Sequence, residues 1–177
     1  MRKFNLEVTY GLLCGLAMSF WVLIEFFLGF HTTSFEIGLY SGYFSIFLPI
    51  IFIFVALKEK QSQANGILSI NDGINVGFRT ALLSSIIFTV FLYFYNNHIN
   101  PDWIERMAEW QRKKLILGGA SNDEIGRFME LNRFRNTAFA QGIINLITST
   151  GIGVCITLIE IPIIKIILTK KIDRSFR

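Results

Sequence analysis

The sequence predicts an all-α, polytopic membrane protein: four transmembrane helices, with an amphipathic helical hairpin between the third and the fourth. Three observations carry this. Only 17% of the 177 residues are charged, where a soluble domain carries about a quarter. The apolar residues gather into four stretches, 8–30, 37–57, 74–95 and 138–168, each long enough for a helix to cross a hydrocarbon core about 30 Å thick. The period-two alternation of a barrel strand is absent, and helices are then the way to pair every backbone group inside lipid. Residues 1–177 read as one integral membrane domain.

The first stretch follows Met1-Arg2-Lys3 and holds a single charge, Glu25. It is too long for the apolar region of a cleaved signal, no A-x-A-like site follows it, and bulky Leu13 stands where a lipoprotein cysteine at Cys14 would need a small residue. The second stretch has no charge, and Lys58 and Lys60 follow it. The third contains Arg79 near its start, close enough to the boundary to reach water. Cys14 and Cys155 fall inside spans as small packing residues.

The segment "INPDWIERMAEWQRKKL" (Ile99–Leu115) puts seven charges and two tryptophans between apolar spans. Pro101 suits a first helical turn, Asp102, Glu105 and Glu109 lie towards the positive end, and Arg112, Lys113 and Lys114 towards the negative end. Trp103, Met107 and Trp110 share one face of a helix over 101–117. "GGA" (Gly118–Ala120) ends it. Ser121 with Glu124 forms a capping box that opens a second helix over 121–136, with Ile125, Phe128, Met129 and Asn132 on one side. Indole rings favour the membrane boundary, so Pro101, Trp103 and Trp110 are expected at the interface. Six acids nearly neutralise the seven basic residues of 96–137, which disfavours nucleic acid as a partner. The pair reads as a solvated cap on the bundle or as a docking surface.

The fourth stretch contains Glu160 and Lys165, about 140° apart around a helix and so not a facing pair. Lys165 can snorkel towards Lys170 and Lys171. Glu160 is the intramembrane charge least easily dismissed, and Pro162 beside it leaves the Leu158 carbonyl free and is expected to kink the helix. Glu25, six residues before His31, is expected to reach water at the outer boundary. Small residues recur at four-residue spacing: Gly11 and Gly15, Gly38 and Gly42, Gly73, Gly77, Ala81 and Ser85, then Gly153. Such ladders bring helices close in lipid, here either within one bundle or across a homo-oligomer seam.

Several of these residues resemble a known family. "GY" (Gly42–Tyr43) is followed by "IFIFVAL"; Gly66, Ser69-Ile70, Gly73-Ile74 and Gly77 come next. "NPDWIERMAEW" and "GGASNDEI" then precede a last apolar span that ends in lysines. The chain resembles, from about Gly11 to Lys171, the bacterial membrane family catalogued as Domain of Unknown Function 4199. Trp103 stands where phenylalanine is commoner in that family. The resemblance implies a bacterial inner membrane and carries over no catalytic or binding residue.

No H-x-x-H, C-x-x-C, glycine-rich phosphate loop or G-x-S-x-G occurs, so no catalytic residue, cofactor or metal site is expected. The expected function is that of a non-enzymatic membrane component, an accessory subunit of a larger assembly. The alternative is a small oligomeric transporter or channel in which Glu160, with Pro162 and Glu25, handles a proton or cation. Arg2 and Lys3, Lys58 and Lys60, and the four basic residues after position 169 place both termini in the cytoplasm, although the 96–137 loop carries nearly as many cations.

Overall fold

The computed structural model describes residues 5–135 and 137–175, with side chains from 5 to 133 and from 137 to 166. The terminal cations Arg2, Lys3, Lys170, Lys171, Arg174 and Arg177 lie outside the described side chains. Every element among the described residues is helical. Among the described residues seven α-helices follow one another: α1 (Leu6–Phe27), α2 (Phe35–Gly42), α3 (Phe47–Gln63), α4 (Ile70–Phe94), α5 (Trp103–Leu117), α6 (Asn122–Arg135) and α7 (Ala138–Ser175). Four helical stretches are long and apolar enough to cross a membrane: Leu6–Phe27, Phe35–Gln63, Ile70–Ile99 and Ala138–Ile166. By this architecture the chain is a multi-pass membrane protein.

Two of these stretches are less regular than the hydropathy pattern implies. The second is α2, one 3₁₀ turn (Tyr43–Ile46) and α3. Pro49, in the first turn of α3, has no N–H for the Ser45 carbonyl, so the chain tightens before it and resumes as a helix. The third ends in a π-turn, Tyr95–Ile99, with the Asn100 N–H donating to the Tyr95 carbonyl at 2.8 Å. α4 also starts four residues earlier than expected. Ser69 caps it, its hydroxyl accepting from the Asp72 N–H at 3.0 Å and donating to the Asp72 carboxylate at 2.7 Å.

α4 lies in the middle and touches α1, α3 and α7. The small residues make that possible. A Cβ on Gly11 or Gly15 would collide with Leu83 or Ile87 of α4, and one on Gly73, Gly77 or Gly153 would collide with Ile161, Thr157 or Ala81 across the α4–α7 seam. Ala81 and Ser85 are buried there. The ladders are therefore used within the chain, where close helix approach replaces the hydrophobic drive that lipid cannot supply. Gly42 departs from this expectation, since a Cβ there would meet nothing within 4 Å. Gly38 packs on the Phe30 backbone rather than on another helix.

Around α4 the core divides in two. Ile53, Leu57, Val76, Ala81 and Ile161 form one cluster, and Cys14, Met18, Val22, Phe88 and Tyr95 form the other towards the end where α5 begins. Cys155, unlike Cys14, is exposed, so it is not a packing residue.

α5 begins at Trp103, with Pro101 and Asp102 in the turn before it. The reciprocal cap expected at Ser121 is present: the Glu124 N–H donates to the Ser121 hydroxyl at 3.3 Å, and the Ser121 N–H donates to the Glu124 carboxylate at 2.8 Å. These bonds hold the Glu124 carboxyl below its usual value. α7 continues through Pro162 without losing its helical assignment.

Candidate functional site

The two carboxyl groups buried in the spans, Glu25 and Glu160, lie at opposite ends of the bundle. At the α5 end, Glu25 on α1 is buried, with 3% of its surface exposed. Its Oε1 accepts from the Trp21 indole N–H at 3.0 Å and from the Ser41 hydroxyl at 2.5 Å. Trp21 and Glu25 are one helical turn apart, and Ser41 comes from α2. The other oxygen, Oε2, lies 3.4 Å from His31 Nε2. Glu25 therefore does not reach water, contrary to expectation, because the chain doubles back at Gly29 (φ +78°) and lays His31 over it.

His31 is buried as well. Its Nδ1 lies 2.7 Å from the Tyr95 hydroxyl, and that hydroxyl accepts from Asn100 Nδ2 at 3.1 Å. Tyr95 and His31 Nδ1 share one hydrogen bond whose donor is set by the imidazole tautomer, and His31 Nε2 faces Glu25 from the other side of the ring. The π-turn turns Tyr95 and Asn100 inward, as such turns often do at functional sites. Trp103 closes the top, its ring 4.3 Å from the His31 ring and 5.7 Å from Phe35. Trp110 also packs on Phe35 and carries Lys114 over its face. Lys114 in turn pairs with Glu36 at 2.9 Å. Trp103 and Trp110 thus rest on the α1–α2 turn.

This cluster joins an acid and an imidazole in a dry setting, where each has a partner. Sequence reasoning placed His31 in an outer loop and passed over Tyr95 and Asn100. The Trp21–Glu25 spacing of four was a readable signal. The meeting of His31 with Tyr95, 64 residues apart, was not.

Glu160 is at the opposite end. It is 5% exposed, and neither carboxyl oxygen has a hydrogen-bond partner among the described residues. It lines an apolar groove between α3 and α7, formed by Ile50, Ile51, Phe54, Val55 and Ile163 among others. Its neighbour Ile161 faces Gly73, the fourth residue of α4. Arg79, further along α4, already shares an open groove with Asn5, Glu7, Glu59 and Lys60. Glu160 is therefore close to the end of the bundle rather than deep within it. Along α4 the Gly73 and Tyr95 levels are separated by about 30 Å, at 1.5 Å per residue. Glu25 consequently cannot assist Glu160 directly.

A third feature lies beneath α5 and α6. A cleft of about 580 Å³ opens between the second span and α7, with α4 as its floor and Ile104, Met107 and Asn132 as its roof. Gly42 lines it. Among the described residues no group of three or more His, Cys, Asp and Glu could hold a metal ion.

A family model described as a protein of unknown function, DUF4199, matches residues 9–169. The chain belongs to the DUF4199 family. No curated protein and no solved structure matches it. The matched region of this DUF4199 protein takes in Glu25, His31, Tyr95, the cleft and Glu160.

Proposed function

We propose that this DUF4199 protein is a non-enzymatic component of a bacterial inner membrane that works by assembling with a second membrane protein. The observation that carries this reading is Glu160: a carboxyl group buried without a hydrogen-bond partner among the described residues, at the side of an apolar groove on the outer face of α3 and α7. A buried polar group without a partner costs roughly 1–3 kcal/mol. A helix seated in the groove with a hydroxyl, amide or cation at that depth would remove the cost. Both termini are cytoplasmic in this reading, with α5 and α6 as an amphipathic hairpin on the outer surface. Arg79, beside Glu59 and Lys60, adds a further cation to the inner end and so supports the orientation.

Purification of the full chain from its native membrane in mild detergent is expected to recover a stoichiometric membrane partner. Glu160→Leu should lose that partner while keeping wild-type abundance. Recovery of the chain alone, or of an undiminished complex from Glu160→Leu, overturns the reading.

The unpartnered carboxyl also favours a second reading, a proton or cation carrier in which Glu160 takes up the ion. Proteoliposomes containing the wild-type chain would then take up protons or monovalent cations, and Glu160→Gln would not. Equal uptake by the two removes it.

A further inference from the structure

We infer that the cleft under α5 and α6 is a binding site for one uncharged, hydrogen-bonding membrane lipid, with its headgroup towards the roof and an acyl chain along α4. This inference is independent of Glu160, which lies outside the cleft.

The shape comes from the course of the helices. α3 and α7 are close where Gly153 meets Ala81 and Ile53, and from there towards α5 the second span and α7 separate. The floor runs along α4 from Ala81 to Leu92, about 16 Å at 1.5 Å per residue. The volume of about 580 Å³ is within the range of sites for small ligands, roughly 300–1,000 Å³. The cleft's floor from Ala81 to Leu92 lies within the third apolar helical stretch.

The two walls differ in chemistry. Leu39, Ile46 and Pro49 from the second span, with Phe88 and Leu92 from α4, make one side apolar. Gln141, Asn145, Thr148 and Ser149 add a polar stripe to the other, α7 side, beside Ile144 and Ile152; at 3.6 residues per turn the four fall within about 100° of the helix. Asn145 donates to Thr89 at 2.8 Å and accepts from Ser149 at 3.1 Å. The side-chain amides of Gln141 and of Gln111, on the roof, make no hydrogen bond among the described residues.

Amide groups that face a largely apolar cavity gain from a hydrogen-bonding partner. A hydroxyl, ester or amide headgroup would bond them, and the apolar wall would take its chain. None of the described lining residues is charged. A phosphate in this place would lose its water and find no cation, so the site selects against anionic phospholipid.

The test uses the full chain in phosphatidylethanolamine vesicles that contain a trace of diazirine-tagged diacylglycerol or, separately, diazirine-tagged phosphatidylglycerol. After illumination, adducts are mapped by mass spectrometry. Diacylglycerol is expected to label segments 104–111 and 141–152 about tenfold more than phosphatidylglycerol does. Gly42→Leu fills the cleft from a position with open space around it and should abolish that labelling without lowering the unfolding temperature. Ile144→Trp is a second plug, from the opposite wall. Gln111→Leu with Gln141→Leu should remove the preference for the uncharged lipid. Equal labelling by the two lipids, labelling that survives both plugs, or no adduct in the cleft (a cleft holding only water or a neighbouring helix) overturns the inference.

Discussion

At Gly77 an added methyl group would overlap the Thr157 side chain, which is itself fixed by donating to the Gly153 carbonyl at 2.7 Å. At Gly42 the same methyl group would enter open space, in backbone that is already helical (φ −57°, ψ −32°). The two substitutions should therefore have opposite signs. Gly77→Ala is expected to destabilise the protein by about 1–3 kcal/mol through overpacking. Gly42→Ala should stabilise it by about 0.5 kcal/mol, because alanine loses less backbone entropy in a helix. Thermal unfolding in detergent measures both. Equal effects would mean that the α4–α7 seam is not where the small residues pack. Residue type alone could not separate these two glycines; the difference is in what stands opposite. The same holds for Glu25 and Glu160. Each is a single carboxyl group in an apolar run, yet one has Trp21, Ser41 and His31 around it and the other has no hydrogen-bond partner among the described residues.

Among the elements, α6 shows how a short exposed helix is held by its first turn. Ser121 and Glu124 satisfy one another's backbone N–H groups, and the Ser121 hydroxyl also donates to the carboxylate at 2.9 Å. These bonds favour the charged carboxylate, so its folded pKa is below the unfolded one. The sign follows from linkage: the contribution to stability is complete above the unfolded pKa and is lost as pH falls through the folded value. Amide exchange in the first turn of α6, corrected for its intrinsic pH dependence, is expected to rise on acidification. Ser121→Ala should show faster exchange at neutral pH and a smaller acid response. An acid response of unchanged size in the variant would remove the cap from the account. This element was legible in the sequence because its determinants are three residues apart. The 3₁₀ turn before Pro49 and the π-turn after Phe94 were not, because hydropathy records apolar length and is blind to the helix type that carries it.

For the whole molecule, the decisive arrangement is that α5 and α6 stand at one end of the bundle, and the α1 start, the α3–α4 connection and Glu160 at the other. In the proposed orientation, with both termini cytoplasmic, a cysteine at Glu130 should react with an impermeant maleimide added to intact spheroplasts. A cysteine at Gln63 should react only after permeabilisation. Each is placed in a chain whose Cys14 and Cys155 are replaced by alanine. Labelling of both from the same side would contradict a bundle that crosses the membrane between them. Trp103 and Trp110 are held against His31 and Phe35, so α5 is fastened to the α1–α2 turn as well as lying over the cleft.

The chain by itself determined the four apolar helical stretches of spanning length, their order, the two helices between the third and fourth, and the family, because each depends on composition and spacing over one stretch. Lipid admits few backbone solutions, so some twenty apolar residues already mean a helix. Only the tertiary structure decided that Glu25 is satisfied and Glu160 is not, that His31 is buried, and that a polar-walled cleft opens beneath α5 and α6. Those outcomes depend on which helix faces which across tens of residues of sequence, and a buried group's energy is set by its nearest neighbours in space rather than in the chain.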